Sequence, residues 1–222
     1  MSPTTSSRTS TGVVRRTQSE RRATTRGRLL DAAAQSLLEH GYAATTIARV
    51  QDAAGLARGT LLHHFPTRAD LMVAATVHLV EQRMRAFGEE AARIDPEADR
   101  LQAVIDLAWR DLSSPEFFTA LELWVAARTD PELREVLLIE EARLFAALHT
   151  GTAAVLGEAY ADDPRVPALV EFTLDVLTGL SMMCMLNGGL GRSGATLRRW
   201  RRVLGILLGE LDPSTLLHDP RA

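Results

Sequence analysis

The residues of this chain whose types suit a chemical task gather in one short stretch, from Thr45 to Arg68. Arg58 can pair with a phosphate or with guanine, Thr60 can serve a base or a phosphate, and Leu62 can pack on a sugar or a thymine methyl group. These are the contacts by which proteins read base edges and hold the phosphate backbone. The stretch therefore predicts DNA binding.

Hydroxyl and basic residues in this stretch stand at the predicted starts of helices, where free backbone N–H groups and the helix dipole favour a phosphate. Gly59 lacks a side chain, so the helix that carries it can sit deep in a groove. We expect a backbone clamp made by Thr45, Thr46, Thr67 and Arg68. We expect base reading by Arg58, Gly59, Thr60, Leu62, His63 and His64.

Residue sets typical of other chemistries are missing from the sequence. There is no Ser-His-Asp set, Cys-His pair, phosphate-binding glycine loop or credible pair of carboxylates, which argues against a small all-α enzyme. The adjacent His63 and His64 point about 100° apart on a helix, and no Cys or acidic cluster completes a metal site. Cys184 is the single cysteine, which suits a reducing cytoplasm. We predict no catalytic residue, no metal and no cofactor.

Two short helices joined by a glycine turn must position the reading stretch. Thr45 or Thr46 caps the first helix, and Gly55 permits a sharp reversal. The second helix runs from about Arg58 to His64, and Pro66 ends it. Two short helices at such a turn predict a helix-turn-helix unit, whose second helix can enter the major groove.

A longer helix precedes this unit and another follows it. Apolar residues recur at helical spacing from Thr25 onward, and Gly41 is expected to cap this first helix. A fourth helix is predicted over residues 68–87. Residues 1–23 are polar and basic, which predicts a flexible arm. Among the arginines near the N-terminus, Arg26 and Arg28, beside the first helix, are the strongest candidates for DNA contact.

The rest of the chain predicts five more helices, over about 99–112, 116–127, 131–156, 165–187 and 195–211, divided by Pro, Gly and Asp. No stretch alternates with period two, so the predicted fold class is all-α. Residues 1–80 hold ten arginines against five acidic residues, and residues 81–222 hold fifteen against twenty-three. The longest charge-free run, residues 176–191, falls short of the roughly 20 residues that span a membrane, so we expect a soluble protein.

The stretch from Thr25 to Leu71 closely resembles the DNA-binding domain of the TetR family of bacterial regulators. It is written TRGRLLDAAAQSLLEHGYAATTIARVQDAAGLARGTLLHHFPTRADL. The resemblance rests on TR-x-x-LLDAA, GY-x-x-TT-x-x-x-V, AGL-x-RGTL and HFPTRADL. It implies that the clamp and reading residues lie on the DNA-facing surface. Three positions depart from the family's usual pattern. Leu62 stands where the family often has Tyr, Ala57 replaces a frequent Ser or Thr cap, and Asp52 brings an acid into a usually apolar or neutral place.

The resemblance and the pattern together predict four segments. They are an arm over 1–23, a TetR-type helix-turn-helix DNA-binding domain over 24–70, a helical regulatory and dimerisation domain over 71–212, and a tail over 213–222. The last two helices are expected to form a homodimer interface. Its predicted residues are Leu174, Leu177, Leu180, Ser181, Leu197, Trp200, Leu204, Leu207 and Leu208. The other interpretation is that they only complete the core.

Aromatic and Met side chains in the middle helices suit an apolar or aromatic effector. The predicted pocket residues are Trp109, Phe117, Phe118, Trp124, Phe145, Met182 and Met183. Glu122, Arg128 and Arg143 are candidates for a polar handle or for a solvated face.

We therefore predict a cytoplasmic, homodimeric regulator that binds double-stranded operator DNA and no membrane. A small molecule of unknown identity is expected to release it from the operator by moving the fourth helix. A nonspecific architectural DNA-binding protein is the nearer alternative, and an all-α enzyme is the more distant one.

Overall fold

The computed structural model describes residues 17–95, 98–157, 160, 162–187 and 190–216. Within these ranges the chain forms α-helices and a final 3₁₀ turn, with no strand, so the predicted all-α class is confirmed. The helices are α1 (Gln18–Ala44), α2 (Ile47–Ala54), α3 (Arg58–His64), α4 (Arg68–Ala91), α5 (Arg100–Leu112), α6 (Pro115–Ala127), α7 (Pro131–Leu156), α8 (Val166–Asn187) and α9 (Leu190–Leu208), followed by the 3₁₀ turn Pro213–Leu216.

Helix α1 begins earlier than predicted. Thr17 and Glu20 form a capping box in which each side chain accepts a hydrogen bond from the other residue's backbone N–H, at 3.2 and 2.7 Å. The arm predicted over residues 1–23 is therefore wrong for residues 18–23, which are helical. Residues 1–16, including Arg8, Arg15 and Arg16, lie outside the described part of the chain.

Gly41 interrupts α1 in the way its sequence position predicts. Its φ is 73°, a left-handed conformation that favours glycine, and one further turn follows before α2. Thr46 then caps α2, and Gly55 ends it with φ 62°. Gly41 thus sets the direction in which α2 follows α1, and Gly55 sets the direction in which α3 follows α2.

Two apolar cores hold the molecule together. The first core joins α1, α2 and α3 to the beginning of α4 and to α6 and α7, through residues such as Leu29, Val50, Leu61, Leu71 and Leu123. A second core lies among α5, α6, α8 and α9. We call residues 17–70, which include α1, α2 and α3 and the start of α4, the head, and the rest of the described chain the body. Because the first core includes residues of α4, α6 and α7, the head is packed on the body, mainly through α1.

Candidate DNA interface

Three buried apolar residues orient the helix-turn-helix. Val50 of α2, Leu61 of α3 and Phe65 just after α3 belong to the first core and are almost fully buried. Since they fix one side of each short helix, the opposite side of α3 faces outward. Ala57 precedes α3 without a side-chain capping bond, so packing rather than capping sets the position of this helix.

The outward side of α3 carries most of the predicted reading residues. Arg58, Gly59, Leu62 and His63 are exposed. A Cβ atom added to Gly59 would meet nothing within 4 Å, so the surface there is open. Thr60 and His64 are half-buried, and His64 lines a groove toward α1, α4 and α7.

His64 differs electrostatically from an exposed histidine. Burial lowers its pKa, and the positive charges of Arg22, His63 and Arg26 lower it further. The imidazole is thereby biased toward its neutral form, which can donate one hydrogen bond and accept another. That chemistry suits a base edge better than a purely ionic phosphate contact.

Thr46 and Thr67 stand at helix N-termini, as predicted. The Thr46 hydroxyl is exposed and accepts from the backbone N–H of Arg49 at 3.2 Å. Thr67 and Asp70 form a capping box, with backbone nitrogens 3.0 and 3.1 Å from the partner's side-chain oxygen. The Asp70 carboxylate makes the start of α4 a weaker anion site than the start of α2.

Thr45 does not lie on the surface, so the prediction that it faces DNA is wrong. Its side chain is fully buried, its hydroxyl donates to the carbonyl oxygen of Gly41 at 2.8 Å, and it lies 3.0 Å from the Ser36 hydroxyl. Neighbouring residues in extended backbone point to opposite sides, so exposing Thr46 turns Thr45 inward.

Two of the predicted DNA-contacting arginines make contacts inside the head. Arg68 donates from Nε to the Thr45 carbonyl oxygen at 3.0 Å and from Nη2 to that of Tyr42, and its Cζ lies 4.1 Å from the centre of the Tyr42 ring. Arg28 donates to the Ala54 carbonyl oxygen at 2.7 Å. Both side chains therefore brace the connections around α2. Arg26 is exposed, with Cζ 5.1 Å from the centre of the Phe65 ring.

The body contacts the head at Tyr42. The Glu122 Oε1 atom of α6 accepts from the Tyr42 backbone N–H at 3.0 Å, and Asp130 Oδ2 accepts from the Tyr42 hydroxyl at 3.1 Å. Burial raises the pKa of the Tyr42 phenol, an effect that the nearby Arg68 charge partly opposes. Glu122, a candidate for a polar handle or for a solvated face, is exposed and joins α6 to the head.

Sequence reasoning missed this junction. In the sequence, Asp130 before Pro131 indicates only a break between two helices. Its Oδ1 atom caps α7 by accepting from the Leu133 N–H, but its Oδ2 atom accepts from Tyr42, which is 88 positions away. A spacing of that length carries no periodic signal. The single hint was Gly41, whose missing side chain leaves room for the carboxylate of Glu122.

The predicted effector residues separate into different environments. Phe117 and Trp124 line one cavity of about 40 Å³ between α4, α6 and α7. Trp109 is buried in the second core, and Phe118 is half-buried against it. Met182 and Met183 are 50% and 68% exposed, so their placement in an internal pocket is wrong. The Phe145 side chain lies outside the described part of the structure.

The predicted dimer residues lie mostly inside the subunit. Leu177, Ser181, Leu197, Trp200 and Leu204 are buried, which is incompatible with an outward interface. Leu174, Leu180 and Leu208 pack against the second core, and Leu207 alone of the predicted set is exposed. Because α8 is apolar around most of its circumference, its pattern did not show which side faces the core. Among the side chains that the structure describes on α8 and α9, the large apolar ones that are exposed are Phe172, Met182, Met183, Met185 and Leu207.

Comparisons with known proteins agree with this arrangement. The sequence pattern described as "Bacterial regulatory proteins, tetR family" matches residues 29–75. The HTH-type transcriptional regulator CymR of Pseudomonas putida is 43% identical over 121 residues, which are 54% of this chain and 60% of CymR. An uncharacterised HTH-type transcriptional regulator of Mycobacterium tuberculosis (strain CDC 1551 / Oshkosh) is 31% identical over 169 residues, covering 76% of this chain and 86% of that protein.

Solved structures of similar fold include ligand complexes. The multidrug binding protein EbrR complexed with proflavin has a TM-score of 0.59 and 26% sequence identity, covering 82% of this chain and 99% of that one. EbrR complexed with ethidium has a TM-score of 0.58 and 25% sequence identity, and the match covers 82% of this chain and 98% of the EbrR chain.

Proposed function

The chain belongs to the TetR family of bacterial transcriptional regulators, and from this premise we propose that it is a repressor which a small apolar or aromatic molecule releases from its operator. The outward side of α3 is the observation that supports DNA reading most directly. Arg58, Gly59, Leu62 and His63 are exposed together there, while Leu61 fixes the opposite side in the core.

The proposed contacts divide into base reading and backbone holding. Arg58, Thr60, Leu62 and His63 enter the major groove, with His64 at its edge. Thr46 and Thr67 bring their helix N-termini to phosphates, and Arg26 adds a charge nearby. Thr45, Arg28 and Arg68 act indirectly, by holding the backbone that presents these groups.

The junction at Tyr42 is the proposed route from effector to DNA. Arg68 of α4 and Glu122 of α6 both contact Tyr42, so a shift of either helix changes the position of the head. A differential binding free energy of about 1 to 3 kcal/mol between the two arrangements changes DNA affinity roughly 5- to 150-fold. This range is sufficient for induction.

The effector is proposed to bind within the body. EbrR, a neighbour of the same fold, is described in complexes with imidazole, proflavin and ethidium. The cavity beside Phe117 and Trp124 offers this chain an aromatic wall between α4 and α6. An aromatic molecule entering there separates the two helices that contact Tyr42.

A homodimer is proposed through α8 and α9. Their exposed apolar residues, Phe172, Met182, Met183, Met185 and Leu207, form a surface that a second copy can bury. Two reading helices held roughly 34 Å apart, or a multiple of that distance, then match two half-sites of an operator. A single head covers too few base pairs for useful specificity.

By length and composition, Val166–Met185 is apolar enough to cross a membrane, and only 17% of its 18-residue window is buried within the subunit. Glu171 and Asp175 are exposed charges on this helix, and α5, α7 and α9 contact it. A partner subunit accounts for its exposed apolar side without a bilayer. We accordingly propose a cytoplasmic protein.

Footprinting of genomic DNA with the purified full chain tests the function. A repressor of this kind protects discrete paired half-sites, and its discrimination between these and random duplex survives an increase in salt. Binding that is equal on all duplexes and disappears with salt would identify an architectural protein instead. If an effector found from the protected promoters tightens operator binding in a mobility-shift titration, the proposed direction of induction is wrong.

A further inference from the structure

Thr76 in the middle of α4 holds a buried hydroxyl without a hydrogen-bond partner among the described residues. The residue is 4% exposed, and its Oγ1 atom is shielded from solvent. Threonines in helices commonly donate to the carbonyl oxygen four residues earlier, as Thr119 donates to Pro115 at 2.9 Å. Buried polar groups are almost always satisfied, so the exception at Thr76 points to a missing partner.

The Thr76 side chain borders the cavity between α4, α6 and α7. Most of its wall is apolar, with Val73 and Val77 on one side and Phe117 and Trp124 on another. The cavity measures about 40 Å³, which is far less than the roughly 150 Å³ that holds a benzene ring. A ring can enter only if α4 and α6 move apart.

The charges near the cavity are already paired. Arg83 lies in its wall and donates from Nε to Asp111 Oδ1 at 2.9 Å and from Nη2 to Oδ2. Its Cζ lies 5.5 Å from the centre of the Phe117 ring. A charged ligand would lose hydration here without gaining a free counter-ion, so the site favours a neutral molecule.

A larger groove between α1, α4 and α7 fits this chemistry less well. It measures about 480 Å³, and several of its charged groups are already paired: Arg143 lies 2.6 Å from Glu81, and His78 lies 2.8 Å from Asp31. This charged groove therefore suits an apolar aromatic ligand less well than the cavity beside Thr76 does.

We propose that Thr76 anchors the effector, and that the effector is a small neutral aromatic compound with one hydrogen-bonding oxygen, as in a phenol or an aryl ketone. Its oxygen binds Thr76 Oγ1, and its ring enters between α4 and α6 against Phe117 and Trp124. The assignment rests on the proposed function, since it names the chemistry of the inducer. It also explains release: α4 and α6 carry Arg68 and Glu122, two of the residues that contact Tyr42, and widening the cavity moves one against the other.

Calorimetric titration of the full chain with phenol, toluene and benzoate tests the assignment. Phenol is expected to bind at least about fivefold more tightly than toluene, the value of one net hydrogen bond, and benzoate is expected to bind most weakly. Thr76→Val should bring phenol down to the affinity of toluene. Thr76→Ser, which keeps the hydroxyl, should retain the preference.

Matched variants separate the anchor from general effects on the core. Thr119→Val removes a buried hydroxyl that is already bonded and does not line the cavity, so it should keep the preference for phenol. Ala120→Leu fills the cavity while keeping the Thr76 hydroxyl, and it should weaken phenol and toluene alike.

A preference for phenol that survives Thr76→Val overturns the proposal. So does binding of none of the three probes, which would mean that a water alone satisfies the hydroxyl. Operator retardation by the same preparations is measured in parallel. If the protein still shifts operator DNA in a gel but binds none of the probes, the anchor is rejected and the regulatory function stands. If the protein does not shift operator DNA, the proposed function itself is rejected.

Discussion

The carboxylate of Glu122 lies against the place where a side chain of Gly41 would begin. A Cβ atom on Gly41 would lie 2.9 Å from Glu122 Oε1, the atom that accepts from the Tyr42 N–H at 3.0 Å. The left-handed backbone of Gly41 turns this N–H toward the body. Helix α6 and the end of α1 are thus fitted to each other through a glycine and a carboxylate 81 positions later in the sequence.

Gly41→Ala is expected to destabilise the protein by about 1 to 3 kcal/mol, because it combines a strained positive φ with the clash against Glu122. Urea unfolding measures the change. In a Glu122→Ala background, where the clash and the Tyr42 bond are both absent, Gly41→Ala should cost only the part due to φ. Gly27→Ala is the control, since its Cβ would meet nothing within 4 Å and it lies inside α1. A loss at Gly27 as large as that at Gly41 contradicts the prediction.

Thr45→Val and Thr46→Ala should have different effects although the residues are adjacent. Thr45→Val removes two buried hydrogen bonds and is expected to lower the free energy of unfolding by about 1 to 3 kcal/mol, with operator affinity of the folded protein little changed. Thr46→Ala removes an exposed helix cap worth about 1 kcal/mol and should weaken binding to every DNA sequence alike. Chemical denaturation and mobility shift together check both. A Thr45 variant that is stable and defective only in DNA binding would restore the surface assignment.

Arg58→Ala is expected to cost about 1 to 3 kcal/mol of operator binding and to relax preference at the base pair it reads. The measurement is affinity for an operator set carrying every base at each position. Arg134→Ala, an exposed arginine of α7, is the matched control and should leave the sequence preference unchanged. An unaltered preference in the Arg58 variant rules out its reading role.

Met183→Asp should shift the protein from dimer to monomer, because it places an unpaired charge in the proposed interface of α8 and α9. Sedimentation at several concentrations measures the shift. Ile139→Asp provides the control: Ile139 is 72% exposed, and Met183 is 68% exposed, but Ile139 lies on α7. A dimer unaffected at Met183 but broken at Ile139 would relocate the interface.

Asp130 is expected to contribute acid sensitivity. The backbone N–H of Leu133 is the main cause that holds the pKa of Asp130 below its ordinary value of 3.8, with burial acting in the opposite direction and the Tyr42 hydroxyl and Arg68 charge lowering it further. A depressed folded pKa stabilises the protein above the unfolded pKa, and this stabilisation is lost as pH falls through the folded value.

Asp130→Asn keeps a helix cap but removes the charge, so it should make the free energy of unfolding less steep in pH below 3.8. The measurement is urea unfolding at a series of acidic pH values. Asp106→Asn, at an exposed position of α5, tests whether any lost carboxylate has the same effect. Equal slopes for wild type and Asp130→Asn count against the prediction.

Local signals determined the helix boundaries and the nature of the head. Helix α3 runs from Arg58 to His64 as predicted, and Gly41 and Gly55 both have the positive φ that their positions suggested. Caps, glycines and prolines act on the backbone within a few residues, so their effect can be read in order along the chain. Three boundaries differ. The Thr17 and Glu20 capping box starts α1 earlier than predicted, α4 continues to Ala91 instead of residue 87, and α9 spans Leu190–Leu208 instead of 195–211.

Tertiary packing decided which side of each element is accessible and which distant residues meet. Thr45 and Thr46 are the same residue type at adjacent positions, yet only Thr46 is exposed, because the Ser36 hydroxyl and the Gly41 carbonyl enclose Thr45. On α8, Leu177 faces the core and Met183 faces outward, although both are apolar. Periodicity can identify a helix, but burial depends on the elements packed around it, and that information is spread over residues far apart in the sequence.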